Sequence, residues 1–393
     1  MVPKRAMDCL ILSECARHQA TSSSHSASRV ASAHRSRMPT TNPSRTTATL
    51  APLRTHLESE GNRLAGIRIL TRDAASAGEC VIALDVGGTG MKGALLDRRL
   101  RPLAAVRRAT PRHAGPDAVV AEIAAVLMEL AERAEAGELT VCRVGVVVPG
   151  VVDEDLARAV YSANLGWRDL PLADLLRERT GLPVVLGHDV RAGGAAECLV
   201  GAARGARYVL FVAIGTGIAS AVVSDGRPVR AKGYAGELGH LRIDPDGAVC
   251  GCGGRGCLET VASASAIAAA YTARSGRPVS GAEEVAALVA CGDADAQAVW
   301  DRATEALGAA LAIATTLLAP ELIVLGGGLA EAGELLFGPV RARLAEGLTF
   351  QRHPSLVRAE LGDEAGCLGA GVYAWRAVED APGPARTEEP RLL

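Results

Sequence analysis

Between Gly233 and Glu259 the chain reads GYAGELGHLRIDPDGAVCGCGGRGCLE and carries three thiols, Cys250, Cys252 and Cys257, and one imidazole, His240. Three thiolates and an imidazole make a closed tetrahedral donor set, the usual composition of a structural Zn²⁺ site. The glycines at 251, 253, 254 and 256 let the backbone double back so that three sulfurs can face one point. Two carboxylates, Glu237 and Glu259, stand at the ends of the same loop, so an ion that ties the ends together brings both toward one place. Free cysteines also pack as small hydrophobes, but C-x-C-G-x-x-G-C in a glycine-rich loop is poor material for a core.

Three glycine turns follow strand-like runs. In CVIALDVGGTGMKGALLD a strand leads into Asp85, turns at Gly87 and Gly88, and returns as a second strand. The glycines allow close backbone approach to a ligand, Thr89 adds a hydroxyl donor, and such a turn can present N–H groups to phosphate oxygens. A plain type I′ hairpin reads the same way. Neither G-x-x-x-x-G-K-[ST] nor a G-x-G-x-x-G that opens a helix is present here. ARYVLFVAIGTGIASAVV repeats the strand–turn–strand pattern with Gly215, Thr216 and Gly217, which suggests an internal duplication. ELIVLGGGLAEAG supplies the third turn, Gly326, Gly327 and Gly328, followed by a new helix whose N-terminus can hold an anion. The strand LPVVLGHD ends at Asp189, where open α/β sheets place their chemistry; a helix N-cap takes the same residue at the same place. The segment YSANLGWRDLPL adds Asn164 and Trp167.

The elements that must position these groups alternate. A helix is predicted near 117–135, a buried strand over 143–150, a mostly helical stretch from about 260 to 318, and a last helix over 364–379. At 393 residues, 49% hydrophobic and 22% charged, the chain is long enough for two domains with sizeable cores. Aromatics are 3%, so those cores must be built from Ala, Val and Leu. No apolar run reaches the roughly 18–20 residues of a membrane helix. Ten cysteines, scattered apart from the 250–257 cluster, suggest a metal and a reducing, cytoplasmic compartment rather than a disulfide framework.

Residues 1–78 read as a disordered or wrongly assigned extension, rich in Ser, Thr and Arg without an apolar period. Residues 1–73 carry 11 Lys and Arg against 5 Asp and Glu, while the remaining 320 carry 31 against 39. A basic arm on an acidic body also fits a nucleic-acid tail or a transit segment, yet no helix-turn-helix pattern is visible.

From about residue 79 to 379 the chain resembles the ROK group of bacterial sugar kinases and repressors. Asp85-Val86-Gly87-Gly88-Thr89 looks like its first phosphate motif, Gly215-Thr216-Gly217 like its second, and Ile323 to Gly328 like its adenosine-side motif. Gly236-Glu237-Leu238-Gly239-His240 with the three cysteines matches its zinc signature, the most specific part. The resemblance implies an α/β, two-domain actin-like ATPase (ribonuclease H-like) fold with a zinc-bearing loop. The small domain would cover residues 79–190 and be completed by the helix 364–379, the large domain 191–363, and residues 380–393 would form a tail.

It further implies an ATP- and Mg²⁺-dependent kinase that phosphorylates a hexose, with glucose, giving glucose 6-phosphate, as the expected case. Asp189 corresponds to the catalytic base; Glu237, His240 and Glu259 to positions that hydrogen-bond sugar hydroxyls; and Asn164 to a further pocket residue. Zinc would be structural, held by His240, Cys250, Cys252 and Cys257. A homo-oligomer, dimer or tetramer, is expected, with no nucleic-acid partner and no membrane. Two departures stand out. The family writes Asn-Asp-x-Asn at its base where this chain has His188-Asp189-Val190-Arg191, so His188 stands where an amide touches the sugar. Gly90 stands where Lys is frequent, with Lys92 two positions on, an arrangement reminiscent of polyphosphate-dependent glucokinases; ATP is the expected donor. Sugar-responsive repressors or a non-catalytic sugar-binding protein are the alternatives, the former requiring a winged helix in the N-terminal extension.

Overall fold

A computed structural model describes residues 78–380, so the basic arm and the C-terminal tail lie outside the described residues. The first half is built on strand β1 (Glu79–Val86), which pairs antiparallel with β2 (Gly90–Leu96) and parallel with β4 (Thr140–Val148). With β3 (Pro102–Ala109) beyond β2 and β8 (Val184–His188) beyond β4, the order is β3-β2-β1-β4-β8. The continuous apolar run of β1 follows from burial on both faces. Cys80, Ile82, Leu84 and Val86 meet the core under helix α1 (Pro116–Ala136), while Val81 and Ala83 face the last helix of the chain. The predicted helix and strand at this point are present, each displaced by a few residues at its ends.

Between β4 and β8 the chain makes a three-stranded excursion, β5 (Val151–Asp153), β6 (Arg158–Ser162) and β7 (Trp167–Leu170), followed by α2 (Leu172–Thr180). Helix α3 (Asp189–Val200) then crosses to the second half. Its small residues permit close packing on two sides. Ala192, Ala195 and Ala196 join the cluster beneath β1, and a side chain at Gly194 would collide with Ala221 and Phe211 of the second sheet.

The second sheet repeats the plan of the first. β9 (Val209–Ile214) pairs antiparallel with β10 (Ile218–Ser224) and parallel with β12 (Leu322–Gly326). Adding β11 (Arg227–Pro228) and β13 (Ser355–Arg358) gives the order β11-β10-β9-β12-β13. Each half thus carries a hairpin whose first strand continues into parallel pairing, which is the duplication expected from the two glycine motifs. One face of this sheet is covered by α5 (Ala264–Ser275), α6 (Ala282–Ala290), α7 (Ala294–Leu318) and α8 (Glu334–Glu346), preceded by the short α4 (Glu259–Ala262). Side-chain caps start two of them: Ser263 accepts from the Ala266 amide and Asp293 from the Ala296 amide.

The last helix, α9 (Ala365–Glu379), returns to the first sheet. Cys367, Ala370, Ala374 and Trp375 pack with Val81, Ala83, Leu96 and Val147, and the Trp375 indole donates to the Asp97 carbonyl at 2.9 Å. Among the described residues no helix is long and apolar enough to cross a membrane.

Candidate active site

The first glycine turn is short and braced. Gly87 N–H donates to the Gly90 carbonyl at 2.8 Å, the Thr110 hydroxyl donates to the Gly87 carbonyl at 2.7 Å, and the Thr110 amide donates to the Thr89 carbonyl at 3.1 Å. Thr110, just past β3, was not foreseen, because nothing in its local sequence marks it as a partner of a turn more than twenty residues away. Asn164 lies against this turn: a side chain at Gly88 would meet its Cβ at 3.5 Å. Asp85 sits opposite Lys92 across the hairpin, below the turn. Burial, and next the charge of Asp189, push the Asp85 carboxyl up to about 7, with Lys92 opposing. Lys92 is itself paired with Asp363, at the approach to α9.

Asp189 is the first residue of α3, at the carboxyl end of β8. The N-cap is the preceding residue: His188 Nδ1 accepts the Arg191 amide at 3.3 Å, and Asp189 is left with its Oδ1 accepting from Val190 N–H at 2.7 Å. His188 is 7% exposed, with Nε2 at 3.4 Å from Asp189 Oδ1. Burial holds the imidazole below its ordinary range despite the opposing charges of Asp189 and Glu237. Arg191, 1% exposed, donates to Glu154 Oε1 at 3.0 Å and to the carbonyls of Gly233 and Val152 at 3.2 and 3.1 Å. Arg230 reaches the other Glu154 oxygen at 2.7 Å, and the Tyr373 hydroxyl donates to Glu154 at 3.4 Å. This buried ion pair ties the first turn of α3 to β5 on one side and to the 231–233 segment on the other. Motif reading missed it, since its members lie on four separate stretches.

The second glycine turn is held by the loop of cysteines. Glu259 Oε2 accepts the Ile218 amide at 2.9 Å, and a Cβ at Gly217 would fall 2.4 Å from that oxygen. The Ala264 amide donates to the Gly215 carbonyl at 2.9 Å and the Ser265 hydroxyl to the Thr216 carbonyl, so the start of α5 supports the turn from below. The 236–240 segment lies on β10: Gly236 has φ 91° and its missing Cβ would stand 2.1 Å from the Ser220 carbonyl. That segment carries Glu237 and His240, with His240 Nε2 at 3.8 Å from Glu237 Oε2.

The four expected metal donors converge. One ligand atom from each of His240, Cys250, Cys252 and Cys257 lies within 4.8 Å of the others. Cys252 Sγ and Cys257 Sγ are 3.7 Å apart, as are Cys250 Sγ and His240 Nδ1. A tetrahedral ion at about 2.3 Å from sulfur and about 2.1 Å from nitrogen requires separations of about 3.8 and about 3.6 Å, which these two pairs match. His240 turns Nδ1 to Cys250 and Nε2 to Glu237. Glu259 Oε1, at 4.0 Å from Cys250 Sγ, links this cluster to the second turn.

The third turn departs from expectation in one respect. Gly327, φ 80°, lies against the Ile214 backbone, which sets the turn beside Gly215. Residues 328–332 then form a tight 3₁₀ turn, and α8 begins only at Glu334. The helix N-terminus therefore does not open directly on the glycines. An apolar cavity of about 760 Å³ lies between α7 and the β9–β10 hairpin, and Glu237 and His240 are among the residues that line it.

The chain matches the ROK family over residues 81–377. The glucokinase of Thermotoga maritima is 33% identical over 307 residues, covering 74% of this chain and 95% of that relative. A ROK hexokinase from Thermus thermophilus has a structure similar to this one at a TM-score of 0.67 and 36% identity, covering 77% of this chain and 99% of the other. A ROK family glucokinase from Streptomyces griseus, solved in complex with glucose and AMPPNP, gives 0.66 and 30%, covering 76% and 99%. With a match spanning both sheets and the loop that holds the cysteines, the chain belongs to the ROK family.

Proposed function

We propose that this ROK sugar kinase transfers the γ-phosphoryl group of ATP to a hydroxyl of a hexose, glucose in the first instance, with Asp189 as the general base. The two sheets take the parts of the two halves of an actin-like, ribonuclease H-like kinase, with nucleotide held on the glycine turns and sugar between the halves. The observation that carries the reading is the position of Asp189. Its charge acts on Asp85, beneath the first turn, while Glu237 acts on its neighbour His188 from the side of the metal loop. A hydroxyl held by Glu237, His240, Glu259 and Asn164 would stand between Asp189 and an incoming phosphate.

Gly87, Gly88, Thr89, Gly215, Thr216 and Gly217 would supply backbone and hydroxyl donors to the phosphates, and Gly326 to Gly328 would border the adenosine. Mg²⁺ would neutralise charge on the ATP phosphates. Asp189 accepts the proton of the sugar hydroxyl as that oxygen attacks phosphorus, which raises the nucleophilicity of an otherwise weak alcohol. Closure over the sugar would exclude water, the competing acceptor. The four donors of the 240–257 loop fit a structural Zn²⁺, which would fix His240 and, through the adjacent helix start, Glu259.

The test is Asp189→Asn, which keeps shape and removes the proton acceptor. kcat with glucose and MgATP should fall by about 10²–10⁴-fold, while glucose affinity changes little. Retention of most of the activity would place the base elsewhere.

A further inference from the structure

We infer that His188 is a positioning residue for the phosphoryl-transfer step, its imidazole locked in one tautomer by the cap of α3 so that Nε2–H faces the Asp189 carboxylate. The inference rests on the reading of Asp189 as the base.

The tautomer follows from the partners. The Arg191 amide is a donor only, so the Nδ1 that receives it at 3.3 Å must offer a lone pair, and a neutral ring then keeps its proton on Nε2. The charged groups that face the ring are Asp189, Glu237 and Glu154, which favour protonation, and Arg191, which opposes it together with burial. The net direction is downward, so the neutral ring persists. Protonating Nδ1 would also sacrifice the cap. Arg191 gives the amide donor a fixed position, because its guanidinium is bound to Glu154 and to the carbonyls of Gly233 and Val152.

Nε2 stands 3.4 Å from Asp189 Oδ1, the same oxygen that accepts Val190 N–H. Val190 N–H therefore occupies Oδ1, with Nε2 close to the same oxygen, and Oδ2 is left to take the substrate proton. With Nδ1 occupied and Nε2 protonated, the ring has no acceptor to give a sugar hydroxyl. An amide at this place could both accept and donate; His188 is committed to the helix and to the base.

Two substitutions separate these commitments. In His188→Asn the side-chain oxygen can still cap Arg191 N–H, but the amide is too short to reach the position of Nε2. In His188→Gln the terminal amide reaches that position and gives up the cap. With full-length protein, glucose and MgATP, His188→Asn should keep its melting temperature within about 2 °C and its glucose KM within about 2-fold. Its kcat should fall about 5–10-fold and the acid limb of kcat/KM should move up by about 0.5–1 pH unit, since a carboxylate that loses a donor becomes more basic. His188→Gln should restore the limb and most of the rate at a lower melting temperature.

An unmoved rate and limb in His188→Asn would reduce the residue to a cap. A raised glucose KM with an unmoved limb would make it a sugar ligand instead. Either result overturns the inference if Asp189→Asn is inactive. A fully active Asp189→Asn overturns both this inference and the assignment of the base.

Discussion

Gly217→Ala puts one methyl group where the carboxylate that follows the cysteine loop meets the second glycine turn. Its carbon would stand 2.4 Å from Glu259 Oε2 and 3.2 Å from the carboxyl carbon, the first of which no real contact of this kind sustains. Because the obstacle is the end of a side chain, the carboxylate swings aside and the backbone stays. The swing breaks the 2.9 Å bond from Ile218 N–H. A hydrogen bond to a charged acceptor contributes about 1.5–3 kcal/mol when buried; Glu259 is half-buried, and about 1–2 kcal/mol is the expected loss of stability. The functional effect should be larger in kind, because the same carboxylate belongs to the proposed sugar pocket and the turn to the proposed nucleotide site. KM for both glucose and ATP should rise, each by roughly 10-fold, which corresponds to about 1.4 kcal/mol. The assay is steady-state kinetics with both substrates varied, repeated in a Glu259→Ala background. There the methyl meets no oxygen, so adding Gly217→Ala should cost nothing further, giving a coupling energy of about 1–2 kcal/mol. Equal penalties in both backgrounds, or a change in ATP kinetics alone, would refute the reasoning.

Asp85 titrates high in the folded chain, at about 7 against an ordinary 3.8. Between these values the folded state holds a proton that the unfolded state has lost, so the stability of the ligand-free protein falls as pH rises through that window and levels off above it. Asp85→Asn removes that slope. Its melting temperature should therefore exceed the parent's by more at pH 8 than at pH 5, and a constant difference across that range would argue against a buried, charge-strained carboxyl. For the metal, the intact protein should carry about one zinc per chain by elemental analysis, and Cys257→Ser should lose it together with thermal stability and glucose affinity. A metal-free preparation with undiminished activity would overturn a structural zinc.

What the sequence disclosed and what it hid divide along a physical line. The convergence of the cysteine loop was legible because its four donors lie within eighteen residues of one another, from His240 to Cys257, with glycines between them that let the backbone double back. The two hairpins were legible because strand–turn–strand units are local, and their repetition anticipated the matching strand orders of the two sheets. The supports of the site were not. Thr110 on the first turn, Lys92 on Asp363 and Arg191 on Glu154 are contacts between remote stretches, and no period or spacing encodes them. His188 illustrates the gap most clearly: its type and place suggested a sugar ligand, whereas its Nδ1 is taken up by a backbone amide three residues on. The third turn misled in a smaller way, since a strand followed by glycines and an apolar run reads as a helix start whether or not a 3₁₀ turn intervenes. The basic arm lies outside the described residues, and its role stays with the sequence-based expectation.

The return of α9 to the first sheet has a consequence for how the chain is made. β1 to β4 leave the ribosome early, yet one face of their sheet, with Val81, Ala83, Leu96 and Val147, is covered among the described residues by α3 and by residues from Leu361 onward, most of them in α9. The second sheet, in contrast, draws all its strands from 209–358 and can close while translation is still under way. Synthesis therefore begins one half and completes the other first. Until the last helix emerges, the nascent chain holds an apolar sheet face open to its surroundings, the kind of surface that chaperones bind and that aggregates when they do not. A frameshift or stop just before residue 365 would spare every group assigned here to sugar and nucleotide, and still leave a chain whose older half lacks most of its cover.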